Sequence, residues 1–167
     1  ERVLRLEDGP LLAGEGKFSA DWTFPDMLYM HVVRSSVACG AIRSIDTSAA
    51  TSSAGVHTIW TAIDIPEIPP IEFRATKYKG LEPYRQPVLA EQRVRYVGEP
   101  VAVVFAEDPY IAEDVANRVL LDITVEVPIT DVTDPLGTFS PGYNTQATLI
   151  EKGYGDVDGA FKAADHV

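Results

Sequence analysis

The stretch 93–127 constrains the fold more than any other part of the chain, because it predicts three strands and a helix almost without connecting residues. Apolar Val94 and Tyr96 alternate with arginines, as in a strand with one solvated face. Residues 101–106 are apolar throughout and rich in β-branched side chains, which indicates a strand covered on both faces. Residues 121–127 alternate again. The stretch therefore predicts part of a sheet packed against a helix.

The predicted helix begins at Asp108-Pro109, between the last two strands. The Asp108 carboxylate can accept hydrogen bonds from the first-turn amides, and Pro109 has no N–H to leave unpaired there. Apolar residues then recur at helical spacing at Ala112, Val115, Ala116 and Val119. In the turn before the middle strand, Glu99 is interpreted as a solvated residue and not as a general acid. Since the stretch has no nucleophile beside a base, it is interpreted as scaffold.

A second strand, helix and strand are predicted at 41–62. Residues 41–46 alternate as a strand, Asp46 can cap a short helix at 47–54, and Gly55 suits the left-handed residue that ends a helix. The same order of elements at 101–127 suggests a structural duplication, although the two segments share little residue identity. Residues 27–33 are predicted to form a further, buried strand.

Length, charge and cysteine content limit the function classes. The 167 residues suit one domain with a sizeable core, and a formal net charge of −11 excludes nucleic acid and anionic membranes as expected partners. No apolar run is long enough to span a membrane, and the N-terminus lacks a basic segment followed by an apolar one. A single cysteine excludes an internal disulfide and fits a reducing cytoplasm, the predicted location.

No residue is predicted to be catalytic, to bind a cofactor or to bind a metal. The three histidines, His31, His57 and His166, lie far apart without motif spacing, and His31 is expected to be a core residue. Cys39 lies in a loop without a base nearby in the sequence, so it is interpreted as a small, half-buried residue. Gly14 and Gly16 are interpreted as a plain turn, because no strand precedes them and no helix follows.

Besides the sequence VRYVGEPVAVV at 94–104, the chain contains several other short motifs. They are RLED (5–8), GEGKF (14–18), VVRS (32–35), IRSID (42–46), PVLA (87–90) and GDVDGAFKAAD (155–165). In this order, over nearly the whole chain, they resemble the N-terminal hammerhead domain of the large, molybdopterin-binding subunit of molybdenum hydroxylases. That family includes xanthine dehydrogenase, aldehyde oxidase and aerobic carbon monoxide dehydrogenase. One departure is the loop 36–39, which reads SVAC where the family often has Pro-His-Ala-His.

The resemblance implies an α+β fold of the hammerhead type, with a mixed sheet and two or three helices. Residues 1–130 would form this domain, and 131–167 a linker that begins the connection to molybdopterin-binding domains of the same chain. The parent protein would hydroxylate a purine, an aldehyde or a similar small substrate, or oxidise carbon monoxide, with water as the oxygen source. Because the family's pterin-binding loops and catalytic glutamate lie in later domains, the chain alone is expected to be inactive. It is expected to be a piece of a longer protein, since it starts at Glu1 without an initiator Met.

The family carries molybdenum–molybdopterin in the parent chain, with iron–sulfur and flavin groups on partner domains or subunits. A proline-broken connection at 63–86 is the predicted contact with such a partner. Its aromatic and basic residues are the candidate interface residues, because interface cores are enriched in aromatics and arginine. These candidates are Phe73, Arg74, Tyr78, Tyr84 and Arg85. The alternative interpretation is a solvated, variable loop.

Two other functions remain open at this point. The chain could be a free-standing binding or regulatory module that shares the scaffold and never meets molybdenum. A reading frame that continues well past Val167 would favour the enzyme, and a stop codon there would favour the module. An enzyme complete in itself is disfavoured, because no acid–base pair, nucleophile or metal cluster is apparent in the sequence.

Overall fold

The computed structural model describes residues 3, 5–74 and 80–166. Contacts divide the chain into two compact units. The first unit comprises Glu1–Glu67 and Leu89–Glu126, and the second comprises Ile68–Val88 and Val127–Val167. The connection 63–86 thus falls mainly in the second unit, together with the C-terminal segment. The domain boundary between residues 130 and 131 stays a prediction.

The described elements follow the predicted order, with additions near both termini. The strands are β1 (Tyr29–Arg34), β2 (Gly40–Asp46), β3 (Val56–Thr61), β4 (Arg93–Val94), β5 (Pro100–Ala106), β6 (Leu120–Val125), β7 (Thr138–Ser140) and β8 (Tyr143–Asn144). The α-helices are α1 (Asp8–Leu12), α2 (Ser48–Thr51), α3 (Pro109–Ala116) and α4 (Val157–Ala163). Short 3-10 turns occupy Ser19–Asp21, Ala62–Asp64 and Glu82–Tyr84.

The predicted α+β class is confirmed, and the strands form three small sheets. The first sheet has the order β1-β5-β3, the second has β4-β2-β6, and β7 pairs with β8. Among the described residues these pairings are antiparallel. The two strand–helix–strand segments exchange strands, because β2 pairs with β6 and β3 with β5. This exchange fits the suggested duplication, and it explains why each segment contributes to both larger sheets.

The core of the first unit lies between α3 and the first sheet. Val104 and Ala102 on the central strand β5 are fully buried, in one cluster with Val115 and Ala116 of α3. Each fully buried valine contributes about 1.5–3 kcal/mol of hydrophobic stabilisation. The predicted cap is confirmed: Asp108 Oδ1 accepts hydrogen bonds from the backbone N–H groups two and three residues later, at 2.8 and 3.3 Å.

The turn after α2 favours glycine because of its backbone conformation. Gly55 has a φ of +79°, as predicted for the residue that ends this helix. A Cβ there would lie 2.8 Å from Ile111 Cδ1, the end of a flexible side chain that can shift. Asp46 accepts hydrogen bonds from Ser48 N at 2.9 Å and Ser48 Oγ at 2.6 Å, and these bonds lower the pKa of Asp46. The N-cap residue is Thr47, and the helix is one turn long. The predicted helix at 47–54 was therefore too long.

Three other features differ from the expectations. The strand predicted to be buried at 27–33 begins at Tyr29, and its Met30 is 60% exposed, because α3 covers only one face of the sheet.

The predicted linker contains the hairpin β7–β8. Gly142, with a φ of +82°, follows Pro141 in the turn, a sequence that favours a tight type II turn. The five-residue helix α1 was not predicted, because Gly9 and Pro10 are typical turn residues.

Candidate functional site

The turn between β4 and β5 contains a buried carboxylate. Glu99 is 1% exposed, and its Oε1 accepts a hydrogen bond from Arg95 Nη1 at 2.7 Å. Its other oxygen, Oε2, accepts from the backbone N–H of Arg95. Glu99 was predicted to be solvated, and that prediction was wrong. The reason is tertiary: the turn folds onto the end of β1, where Ser35 N donates to Glu99 O at 2.9 Å and Gly98 N donates to Ser35 O at 2.7 Å.

This geometry fits a structural role for Glu99. Both carboxylate oxygens accept hydrogen bonds from Arg95, so the charge is neutralised where it is removed from water. Gly98 supplies the positive φ of +89° that the turn needs, and its carbonyl accepts a hydrogen bond from Arg34 Nη1 at 2.8 Å. The arrangement fixes β1, β4 and β5 relative to one another.

A second ion pair connects β4 to the residue after β6. Arg93 Nη1 donates to Glu126 Oε1 at 2.9 Å and Nη2 donates to Oε2, a bidentate geometry. The guanidinium lowers the pKa of Glu126, and Glu126 in turn raises the pKa of Arg93. Glu126 N also donates to Cys39 O at 2.9 Å. Cys39 is half-buried, as predicted.

The candidate interface residues are divided between a small cluster and the surface. The ring of Tyr84 lies 4.8 Å from that of Phe139 and 5.9 Å from that of Tyr143, measured between centroids. Its hydroxyl donates to Gln146 O at 3.3 Å. Tyr84 is half-buried in this aromatic cluster of the second unit, and it does not belong to the buried core. The sequence alone does not reveal the partners of Tyr84, because Phe139 and Tyr143 lie in the segment interpreted as a linker.

The other candidates do not join this cluster in the described contacts. Arg85 Nη2 lies 3.1 Å from Glu72 Oε2. Phe73 is half-buried and Arg74 is exposed. Tyr78 lies outside the described residues. The interface role of these residues stays a prediction.

The histidines do not converge on a centre in the described part of the chain. His31 lines a groove of about 510 Å³ together with Arg34 and Asn117, while His57 and His166 are exposed. Among the described residues, no group of three or more His, Cys, Asp or Glu side chains could hold a metal ion. None of the described helices has the length and apolar character needed to cross a membrane.

The comparisons with known proteins agree with the motifs and the fold. A family model for the a/b hammerhead domain of aldehyde oxidase and xanthine dehydrogenase matches residues 13–126. Two relatives from Paenarthrobacter nicotinovorans match the whole chain. The nicotine 6-hydroxylase large subunit is 39% identical and the 6-hydroxypseudooxynicotine dehydrogenase complex subunit gamma is 36% identical. The chain spans 21% and 22%, respectively, of the length of these relatives.

The solved structures give the same result. Quinoline 2-oxidoreductase from Pseudomonas putida 86 superposes with a TM-score of 0.67 at 34% identity, over 78% of this chain and 16% of that chain. The Cu,Mo-dependent carbon monoxide dehydrogenase superposes with a TM-score of 0.64 at 32% identity, over 77% and 16%. The predicted hammerhead type is thereby confirmed. This chain belongs to the a/b hammerhead domain family of aldehyde oxidases and xanthine dehydrogenases.

Proposed function

We propose that this chain is a structural and interface domain of the large subunit of a molybdenum-dependent oxidoreductase, and that it is not catalytic alone. The observation that carries the proposal is the family match over 13–126, together with the 21% of the nicotine 6-hydroxylase large subunit that the chain spans. The buried charge of Glu99 supports a structural role, since Arg95 occupies both of its oxygens. The alternative is a free-standing binding module built on the same scaffold.

The proposed reaction of the parent protein is the hydroxylation of a small molecule with water as the oxygen source. Purines, aldehydes and carbon monoxide are substrate classes of the family. Relatives of this chain are named for nicotine, 6-hydroxypseudooxynicotine and quinoline, all of which contain nitrogen heteroaromatic rings. These names favour a nitrogen heteroaromatic substrate. The residues that would select it lie in other domains under this proposal.

The proposed cofactor is molybdenum–molybdopterin, which would supply the two-electron oxidation of the substrate. Among the described residues, no group of three or more His, Cys, Asp or Glu side chains could bind a metal ion directly. The proposal assigns no step of the reaction to this chain and assigns the cofactor to other domains of the same protein, as the family resemblance implies. Iron–sulfur and flavin groups on partner domains or subunits would accept the electrons. The words "large subunit" and "complex subunit" in the relatives' names fit such an assembly.

The proposed contact with a partner domain or subunit includes the candidate interface residues of the second unit. Arg74 is exposed, and Arg85 retains a side-chain exposure of 35% beside Glu72. Tyr84 would contribute indirectly, because its half-buried ring packs on Phe139 and Tyr143 and so helps to position those two side chains.

A cytoplasmic location of the protein also stays a prediction.

The decisive experiment is metal and pterin analysis of the full-length gene product, purified beside the 167-residue chain from a host that makes the cofactor. We expect molybdenum and pterin in the long protein and neither in the chain. A well-folded long protein without molybdenum would contradict the proposal and favour the binding module. A reading frame that stops at Val167 would contradict it as well.

A further inference from the structure

The first sheet has one face that its own unit leaves partly uncovered. The register places Met30 opposite Phe105, and Trp60 opposite Val103. Directly opposed residues of antiparallel strands point to the same side of a sheet. The uncovered face also includes Val32 and Thr58, which pair with the same two residues of β5. We call these six residues the outer face.

The outer face is apolar and exposed. Met30 is 60% exposed and Trp60 is 41% exposed, while Phe105 and Val103 are half-buried. Trp60 and Phe105 form an edge-on pair with ring centroids 4.6 Å apart. None of the six residues is charged, although charged residues make up 23% of the chain. Contiguous apolar patches of this kind mark interaction surfaces in folded proteins.

The rest of the same sheet is covered, which sets the outer face apart. On the opposite side, α3 packs against β1, β3 and β5, and Val104 is fully buried. At the other end of β5, Val101 is fully buried in one cluster with Ala90 and Val94. Ala90 N donates to Pro100 O at 2.8 Å and holds that covering segment in place. The exposure is therefore confined to the end of the sheet that carries Met30, Trp60 and Phe105.

We propose that the outer face docks against the part of the large subunit that lies outside the hammerhead domain. The inference rests on the proposed function, and it adds the surface and its occupant. The chain spans 22% of the 6-hydroxypseudooxynicotine dehydrogenase subunit, so a parent of similar length has most of its residues available to cover the face. A tethered domain also needs little intrinsic affinity, because the linker keeps its effective concentration high.

Charge argues against a second copy, an anionic membrane and a nucleic acid as the occupant. Each of two copies of this chain would carry a formal net charge of −11, and the resulting long-range repulsion opposes self-association. The same charge opposes an anionic membrane or a nucleic acid. An apolar surface of another domain of the same protein would avoid both the repulsion between two acidic chains and the repulsion from a polyanion.

The test is methionine oxidation by hydrogen peroxide, followed by peptide mass spectrometry, in the 167-residue chain and in the full-length gene product. We expect Met30 to react at least ten times more slowly in the long protein. Size-exclusion chromatography with light scattering should show the 167-residue chain to be a monomer in the same buffer. Equal reactivity of Met30 in both proteins would overturn the proposal, and a dimer that protects Met30 would assign the face to a second copy instead.

A pair of variants supplies the control. Met30→Glu places a charge on the outer face, and Tyr110→Glu places one on α3, where Tyr110 is 76% exposed. Both variants should leave the melting temperature of the 167-residue chain within a few degrees, because both sites are exposed. In the long protein, Met30→Glu should increase the rate of limited proteolysis several-fold and Tyr110→Glu should not. Equal rates for the two variants would contradict the docking.

Molybdenum content, measured on the same preparations, separates this inference from the proposed function. A long protein that holds molybdenum and leaves Met30 reactive would overturn the docking and leave the proposed function standing. A long protein that protects Met30 and lacks molybdenum would support the docking and contradict the proposed function.

Discussion

The two units of the chain differ in how they are stabilised. Every residue found buried among the described residues belongs to the first unit. The second unit relies on the cluster around Tyr84, on the hairpin β7–β8 and on the capped helix α4. Even α4 exposes its apolar side, with Val157 at 62% and Phe161 at 58%. The difference teaches that the first unit supplies its own stability, whereas the described residues of the second unit form local structure without a buried core.

The ion pairs show the same contrast. Glu99 of the first unit is almost fully buried against Arg95, while Glu72 of the second unit has a side-chain exposure of 63% beside Arg85. Removing one partner of a buried pair leaves a charge without compensation, whereas water replaces the lost partner at the surface. Matched changes in the two units therefore test this contrast.

The largest expected effect follows from removing an arginine. Arg95→Ala should lower the free energy of unfolding by about 3–5 kcal/mol, because it removes the guanidinium that compensates the buried Glu99 charge and leaves only the backbone N–H of residue 95 as a donor. Arg85→Ala should cost at most about 1 kcal/mol, since Glu72 is solvated. Urea unfolding followed by circular dichroism measures both. Equal losses of unfolding free energy in the two variants would show that the burial of Glu99 does not control stability.

A smaller effect is expected from a change of valine to alanine. Val104→Ala removes two buried methyl groups from the central strand and should cost about 2–3 kcal/mol, including the cavity it leaves. Val157→Ala in α4 should change the unfolding free energy by less than about 0.5 kcal/mol. The same urea titration applies. A large loss from Val157→Ala would reveal a hidden core in the second unit.

The two helix caps provide a third comparison. Asp108→Ala should cost about 1 kcal/mol of global stability, because α3 packs on the core and its first-turn amides lose their acceptor. Asp156 caps α4 by accepting from Gly159 N at 2.8 Å. Asp156→Ala should speed amide hydrogen exchange in α4 and leave the global unfolding midpoint unchanged. A shifted midpoint would mean that α4 unfolds together with the first unit.

The smallest expected effect is electrostatic. The folded-state pKa of Glu126 is lowered by Arg93, so its contribution to stability is present above its ordinary pKa and is lost as the pH falls through the lowered value. Arg93→Gln should raise the pKa of Glu126, as followed by carboxyl carbon NMR. The same variant should leave the pKa of the Asp134 carboxyl in the second unit unchanged, because that pKa is lowered by hydrogen bonds from the backbone N–H groups of Asp131 and Thr130. An unchanged pKa of Glu126 in the Arg93→Gln variant would show that the ion pair does not persist in solution.

Local sequence patterns predicted the elements whose causes are local. The cap at Asp108 and the positive φ of Gly55 depend on residues within one helical turn, and both were confirmed. The strand at 101–106 follows from a run of apolar residues and was confirmed as β5. The predicted burial of both faces was wrong for Val103 and Phe105, which are half-buried. The overlong helix at 47–54 shows the limit of such patterns, since serine and threonine suit a cap as well as a helix.

The candidate site was less accessible to sequence reasoning. Tyr84 was selected for its residue type, but its contacts with Phe139 and Tyr143 depend on residues more than 50 positions away. Glu99 was interpreted as a solvated residue because an isolated Gly-Glu-Pro turn is usually exposed. Its burial results from the approach of Ser35, which is distant in sequence.

By itself, the sequence determined the order of the main strands and helices, the acidic surface charge and the family of the domain, because these follow from residue type, spacing and motif order. The tertiary structure alone decided that the two strand–helix–strand segments exchange strands, that Glu99 is buried, and that Met30 and Trp60 are exposed. The physical reason is that burial depends on which distant segment packs onto each face. An apolar strand residue has the same local pattern whether α3 covers it, as at Val104, or leaves it exposed, as at Met30.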